Sequence, residues 1–221
     1  MMIPNLVLAS NSPRRKTLLA LGGNDYRVVA ADVDETPRNG ENPKDYVKRL
    51  ALEKAQAAAA AVGQQDALIV AADTTVAYQG RIKGKPAEAA EAAQMLKTLR
   101  GVVHQVYTAI ALLRIPGNEL LTDFAETEVP MRDYSDAEIE AYVAGGDPLD
   151  KAGAYAIQHA GFHPVASMQG CYANVVGLPL CHLQRTLLKW ALSFDRDLSP
   201  ACQLHLAYDC PVTATILAWQ I

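Results

Sequence analysis

Leu6-Val7-Leu8-Ala9-Ser10-Asn11-Ser12-Pro13-Arg14-Arg15 reads as a short buried strand running into a helix that opens with hydroxyls and two guanidinium groups. Ser12 fits an N-cap, because its oxygen can accept from an orphan amide, and Pro13 fits the first helical position, where its missing N–H costs nothing. A helix N-terminus offers free amides and partial positive charge, and arginines in its first turn add planar donors suited to phosphate oxygens. Arginine there opposes the helix dipole. Stability alone favours Asp or Glu in that turn, so the wrong-signed charge points to an anion. A surface helix that begins with two arginines accounts for the same residues equally well in isolation.

Downstream, Tyr26 to Ala30 alternates as a strand does, and Asp32-Val33-Asp34-Glu35-Thr36-Pro37 follows as an acidic turn or loop. Asn42 caps a helix with Pro43 at its first position, and the Ala-, Lys-, Glu- and Leu-rich segment runs through Ala61 until Gly63 ends it. Residues 67–73 predict a second buried strand that continues past Asp73 through Tyr78 to a turn at Gly80. After Lys83-Gly84-Lys85-Pro86, a second alanine-rich helix runs to about Leu99, with Gly101 at its stop. Val102 to Leu113 and Leu120 to Met131 predict the long strands of a hairpin turned around Pro116-Gly117-Asn118. Ser135-Asp136-Ala137-Glu138 is a capping box whose helix ends at Gly145-Gly146. A final amphipathic helix is expected from about Leu180 to Leu192, with Leu183, Leu187 and Leu188 as its core stripe.

At 221 residues and 50% hydrophobic, the chain suits one α/β domain with a large core, or two lobes sharing a sheet. Its longest apolar runs are far shorter than a membrane span, and the N-terminus lacks the regions of a signal peptide, so the sequence reads as cytosolic. A net charge of −4 and a pI near 5.7 argue against a polynucleotide partner, though local cations or a metal leave room for a small anionic ligand. The four cysteines, Cys171, Cys181, Cys202 and Cys210, show no CxxC spacing and are expected as free thiols, with a Cys202–Cys210 pair open in an oxidising setting.

Asp73 is the leading candidate for chemistry, because it follows the apolar run Ala67 to Ala72, and the carboxyl ends of strands gather ligands and catalytic groups in α/β sheets. Partial desolvation there raises a carboxyl pKa and makes it a better base unless a metal or lysine opposes the shift. Capping of the adjacent turn is the competing role. Asp34 and Glu35 form an acidic pair that suits either a hard cation bridging phosphates or a solvated turn. Lys54, Lys83 and Lys85 are the remaining cations. Lys54 lies on a helix, where lysines are usually solvated, whereas Gly84 and Pro86 fix the backbone around Lys85. His159 and His163 are spaced i,i+4, but Gly161 and Pro164 argue against a helical metal pair. There is no G-x-S-x-G elbow, Walker A sequence or G-x-G-x-x-G.

Leu8-Ala9-Ser10-Asn11-Ser12-Pro13-Arg14-Arg15, Ala72-Asp73-Thr74, Gly84-Lys85-Pro86, the run Leu149 to Gln158 and Val175-Val176-Gly177-Leu178-Pro179-Leu180 closely resemble the Maf-like nucleoside triphosphate pyrophosphatases. The match runs in order from about residue 5 to residue 194, which sets 1–194 apart from a C-terminal extension, 195–221. The resemblance implies an α/β fold with an elongated central mixed β-sheet flanked by helices, two lobes around a cleft, as in the inosine triphosphate pyrophosphatase superfamily. It implies cleavage of a nucleoside triphosphate to the monophosphate and pyrophosphate with a divalent metal, Mg²⁺ or Mn²⁺. Asp73 would accept the proton of the attacking water, Glu35 and Asp73 would lie near the metal, and Arg15, Lys54 and Lys85 would meet phosphates. Ser10, Ser12, Arg14, Thr74 and Gln158 complete the implied substrate contacts, and a homodimer follows by analogy.

Arg14, Thr74 and Gln158 resemble the subfamily acting on dTTP and UTP, while the sister subfamily linked to 7-methyl-GTP carries Trp, Gln and Glu there. Gln158 offers a donor and an acceptor, which suits the amide edge of thymine or uracil. One departure is Thr17, where the family commonly has Glu, and its loss is expected to weaken metal or water positioning. That residue leaves open a nucleotide-binding regulator of septum formation with little turnover. Modified nucleotides, 7-methyl-GTP among them, are the alternative substrates. Cys202, Cys210 and Trp219 suggest that the extension is packed or forms a partner surface.

Overall fold

The computed structural model describes residue 3 and residues 5–218, so Trp219 lies outside the described residues. In chain order the strands are β1 (Leu6–Leu8), β2 (Tyr26–Val28), β3 (Ala67–Tyr78), β4 (Arg81–Lys83), β5 (Val103–Ile115) and β6 (Glu119–Pro130). The α-helices are α1 (Pro13–Ala20), α2 (Pro43–Val62), α3 (Ala89–Leu99), α4 (Asp136–Ala144), α5 (Tyr172–Val176), α6 (Leu180–Leu188), α7 (Leu198–Leu206) and α8 (Thr213–Ala218).

The starts of these helices follow from local chemistry. Ser12 caps α1 by accepting from Arg15 N–H with Pro13 behind it, and Asn42 caps α2 by accepting from Asp45 N–H. Ser135 and Glu138 bond reciprocally as a capping box for α4.

The sheet runs β2-β1-β3-β5-β6, with β4 also paired to β3. β1 is parallel to β2 and β3, while β4, β5 and β6 are joined by antiparallel ladders. It is therefore a mixed sheet, and it is elongated because β3, β5 and β6 each extend 12 or 13 residues. At about 3.3 Å per residue that is roughly 40 Å of strand, long enough to carry separate cores along its length. One core packs α1, α5 and α6 on the Leu68, Val70 and Ala72 face; another packs α2 on the Ile69 and Ala71 face. A third, around Val76, Leu96, Tyr134 and Ile139, joins α3 and α4 to the far half of the sheet.

β3 continues past Asp73 to Tyr78, as expected, and β5 pairs with the strand on both sides of that residue. Two expectations about the helix from Leu180 are corrected. The helix from Leu180 stops at Leu188 and is followed by α7 and α8, so it is not the last. Leu183 and Leu187 are fully buried, but Leu188 is exposed, since a residue one step along a helix turns about 100° from the core. All four cysteines are free thiols.

Candidate active site

The site occupies a break in the edge of β3. One edge is paired throughout by β5, but the other is shared by two short strands. β1 leaves it at Ala9, whose N–H donates to Val70 O, and β4 joins at Val76. Between them, no strand covers Ala71 to Thr75. Successive side chains on a strand point to opposite faces, so Asp73 faces α2 while Thr74 faces α1 and α5. A cavity of about 350 Å³ opens there, within the usual size of small-molecule sites.

On the α2 side, Lys54 Nζ donates to both Asp73 Oδ1 and Glu35 Oε1, each at 2.6 Å. Lys54 is only 7% exposed because it belongs to the helical stripe Tyr46, Val47, Leu50, Ala51, Ala55 and Ala58 that α2 turns inward. Burial raises the Asp73 carboxyl above its ordinary range, and the nearby Glu35 charge adds to that, while Lys54 and Arg15 oppose it. Burial pushes Glu35 the same way, but Lys54, Lys85 and Arg15 outweigh it and hold this carboxyl below the ordinary range. Two carboxylates on one ammonium thus have opposite proton affinities, as a base and a permanent anion require. Tyr46 Oη donates to Glu35 O at 2.8 Å and fixes the loop that brings this carboxylate in.

On the other side, Arg15 sits one turn before Leu18 and Leu19, on the buried face of α1. Its Nε donates to Gly177 O at 2.9 Å, Nη2 to Thr74 Oγ1 at 3.0 Å and Nη1 to Ser10 Oγ at 3.3 Å. All three acceptors are neutral, and among the described residues no carboxylate pairs with this guanidinium. Burial lowers its pKa and Asp73 raises it, but a guanidinium stays charged in water-accessible protein sites. Gly177 closes α5 at φ 118°, where a side chain would be strained and a Cβ would lie 3.4 Å from Thr74 Oγ1.

Of the candidates named from sequence, Ser10, Ser12, Arg14, Arg15, Glu35, Lys54, Asp73, Thr74, Lys85 and Gln158 line this one cavity, whereas Lys83 does not. Lys85 Nζ lies 3.7 Å from Glu35 Oε2 at the rim, and Arg14 pairs loosely with Asp150 at 3.8 Å. Thr74 is engaged with Arg15 and Thr108 and so positions the guanidinium. Asp34 does not reach the cavity, because its carboxylate accepts from Thr36 N–H. Neither does Thr17, which is exposed and back-bonds to Pro13 O. His159 Nδ1 accepts from Phe162 N–H, and no group of three or more His, Cys, Asp or Glu among the described residues could hold a metal by itself.

A model of the family described as "Maf-like protein" matches residues 5–190. The chain belongs to the Maf-like protein family. Relatives of this Maf-like chain include the dTTP/UTP pyrophosphatase of Pelotomaculum thermopropionicum, 44% identical over 185 residues, 84% of this chain and 96% of the relative. The protein of that name from Geotalea uraniireducens is 45% identical over 81% of this chain and 91% of its own. That of Dictyoglomus turgidum is 44% identical over 85% and 97%. Among solved structures, the Staphylococcus aureus Ham1 protein aligns with a TM-score of 0.42 at 20% identity, covering 59% of this chain and 73% of that one. No helix among the described residues is long and apolar enough to cross a membrane.

Two cavity residues of this Maf-like protein carry no role in the sequence reading. Lys151 is buried and bonds Asp147 Oδ1 at 3.0 Å and Asp150 Oδ1 at 2.6 Å, holding the wall that ends in Gln158. Tyr46 belongs to the inward stripe of α2, and that same periodicity is the signal that marks Lys54 as buried.

Proposed function

We propose that this chain hydrolyses dTTP and UTP to the nucleoside monophosphate and pyrophosphate with the help of Mg²⁺ or Mn²⁺. The observation that carries the reading is the Lys54 bridge between Asp73 and Glu35, facing an Arg15 that has no carboxylate partner among the described residues. Asp73, with a raised pKa and one oxygen left free of Lys54, accepts the proton of the attacking water. Lys54 holds that carboxylate in place and balances its charge before the proton arrives. Arg15 and Lys85 draw in the phosphate chain and stabilise charge as pyrophosphate leaves. Arg14 and the hydroxyls of Ser10 and Ser12 line the same wall, and the Gln158 amide matches the donor and acceptor edge of a pyrimidine.

The residues fit a cation shared with substrate. Glu35 and Asp73 each keep an oxygen that Lys54 does not take, and Mg²⁺ is usually held by one or two carboxylates with substrate phosphates and water filling the rest. When bound, such a cation supplies neutralisation of the triphosphate. The identity to the dTTP/UTP pyrophosphatases supports this choice of substrate, and the family resemblance supports a cytoplasmic homodimer.

The test is pyrophosphate release from dTTP, UTP, CTP, the purine triphosphates, 5-methyl-UTP and 7-methyl-GTP, with and without each metal. Metal-dependent release favouring dTTP and UTP is expected, and Asp73→Asn should lose at least about 100-fold in turnover while still binding nucleotide. Silence across the panel in folded, nucleotide-binding protein would overturn the reaction, and a preference for 7-methyl-GTP would overturn the substrate.

A further inference from the structure

All four cysteines of the chain, separated by up to 39 positions, line one small apolar cavity formed by α5, α6, α7 and the connection into α8. Three of them are buried, and Cys210 alone is half-exposed. Three or more do not converge on a common point, so the arrangement is no metal site.

Cys210 is held beside the start of α5, where Cys171 stands, by several contacts. Its thiol lies 3.9 Å from Gly170 O, the residue before Cys171, and its N–H donates to Gln203 Oε1 at 3.0 Å. Tyr208 Oη lies 3.0 Å from Gly170 O and 3.1 Å from Met168 O, which fastens the start of the same connection. Each thiol is the largest influence on the proton affinity of the other, pushing Cys171 well up and Cys210 down, and Thr213 and the N–H groups of Val212 and Thr213 add to the lowering of Cys210. The more accessible thiol thus holds its proton more weakly than the buried one, which is the polarity of an attacking and a resolving cysteine.

We propose that Cys210 and Cys171 form a peroxide-sensitive pair that closes to a disulfide, stapling the C-terminal segment to α5. The Cys210 thiolate attacks a peroxide oxygen, so an S–O bond forms, the O–O bond breaks and hydroxide leaves, taking up a proton to become water. The Cys171 sulfur, giving up its proton, then attacks Cys210; the S–S bond forms, the S–O bond breaks and a second water departs. Two thiols lose two electrons and one peroxide gains them. Cys171 stands at the N-terminal end of α5, whose other end, Gly177, accepts from Arg15, so the staple anchors the element that floors the nucleotide cavity.

The experiment treats the reduced full-length protein with hydrogen peroxide and follows intact mass and a non-reducing peptide map. The expected result is loss of two hydrogens, a single cross-link joining Cys171 to Cys210, and reversal by dithiothreitol. Cys171→Ser should instead hold Cys210 as a sulfenic acid that dimedone traps. In the untreated wild type, iodoacetamide at neutral pH should label Cys210 about ten times faster than the other three thiols. No cross-link in the wild type, a cross-link from Cys210 to Cys181 or Cys202, or equal labelling of all four thiols would overturn the proposal. None of these readouts depends on turnover.

Discussion

The Lys54 ammonium lies 2.6 Å from Asp73 Oδ1 inside the apolar stripe that α2 turns toward the sheet. A buried pair of this kind is costly to break from one side, because the charge left behind has no compensation. In Lys54→Met, Asp73 faces Glu35 with no cation between them, so its pKa rises further and the base is protonated over more of the pH range. The acid limb of the kcat/KM profile should move up by about one pH unit, and the rate at neutral pH should fall about 100-fold. Glu35→Gln removes a like charge that raises Asp73, so its acid limb should move down. Shifts in the same direction for the two variants would show that Asp73 is not the titrating base.

Arg15 spends its donors on three neutral oxygens, so its charge is desolvated without an ionic return. Such a residue serves an anion at a cost to the fold. Arg15→Met should weaken pyrophosphate binding at least about tenfold, since charge-assisted hydrogen bonds contribute ~2 kcal/mol. Its thermal midpoint should stay level with wild type or rise. Calorimetry settles both, because wild type should gain midpoint with added pyrophosphate and the variant should not. A large loss of stability in Arg15→Met would mark the guanidinium as a structural strut.

The sequence exposed what depends on neighbours in the chain. Ser12-Pro13, Asn42-Pro43 and the Ser135–Glu138 box start helices because a cap acts within one turn, and the β5–β6 hairpin needs only adjacent strands and a turn. What it hid depends on distant partners. Arg15 is held by Gly177, 162 positions away, and Lys54 meets Asp73 across the sheet. By residue type Lys54 reads as a solvated lysine, and only its helical phase, shared with Leu50, Ala51, Ala55 and Ala58, turns it inward. The gap in which Asp73 lies is hidden for the same reason, since the break in β3's edge arises from β1 stopping, not from β3 itself.

Glu41 accepts from Arg49 through both oxygens at 2.7 Å and from Arg38 N–H at 2.9 Å. The Arg49 bonds hold its carboxyl down to about 2 from an ordinary 4.5. A depressed folded pKa means the unfolded chain binds the proton more readily, so this contribution is complete above pH 4.5 and disappears as pH falls toward 2. Urea midpoints across that window should therefore decline more steeply in wild type than in Glu41→Gln. At neutral pH the variant should lose about 1 kcal/mol, and parallel pH curves would contradict the assignment. Because Arg49 also donates to Thr36 O, next to Glu35, the variant should lose turnover as well as stability.

Gln158 is exposed at the cavity rim and its side chain makes no hydrogen bond among the described residues, so nothing in the fold depends on it. The segment leading to it is nevertheless fixed: Gly153 N–H donates to Gly84 O, beside Lys85, and Lys151 ties the start of the segment to Asp147 and Asp150. A change confined to its amide therefore reads substrate choice alone. Gln158→Glu keeps the shape, removes the donor and adds a negative charge, so stability should stay within about 0.5 kcal/mol. For dTTP and UTP, kcat/KM should fall about tenfold or more, because a base edge built to meet a donor is left facing an acceptor. Purine triphosphates should fall less. An equal fall for all triphosphates would mean that the new charge repels the phosphate chain rather than the base, and Gln158 would then lose its place in selecting the pyrimidine.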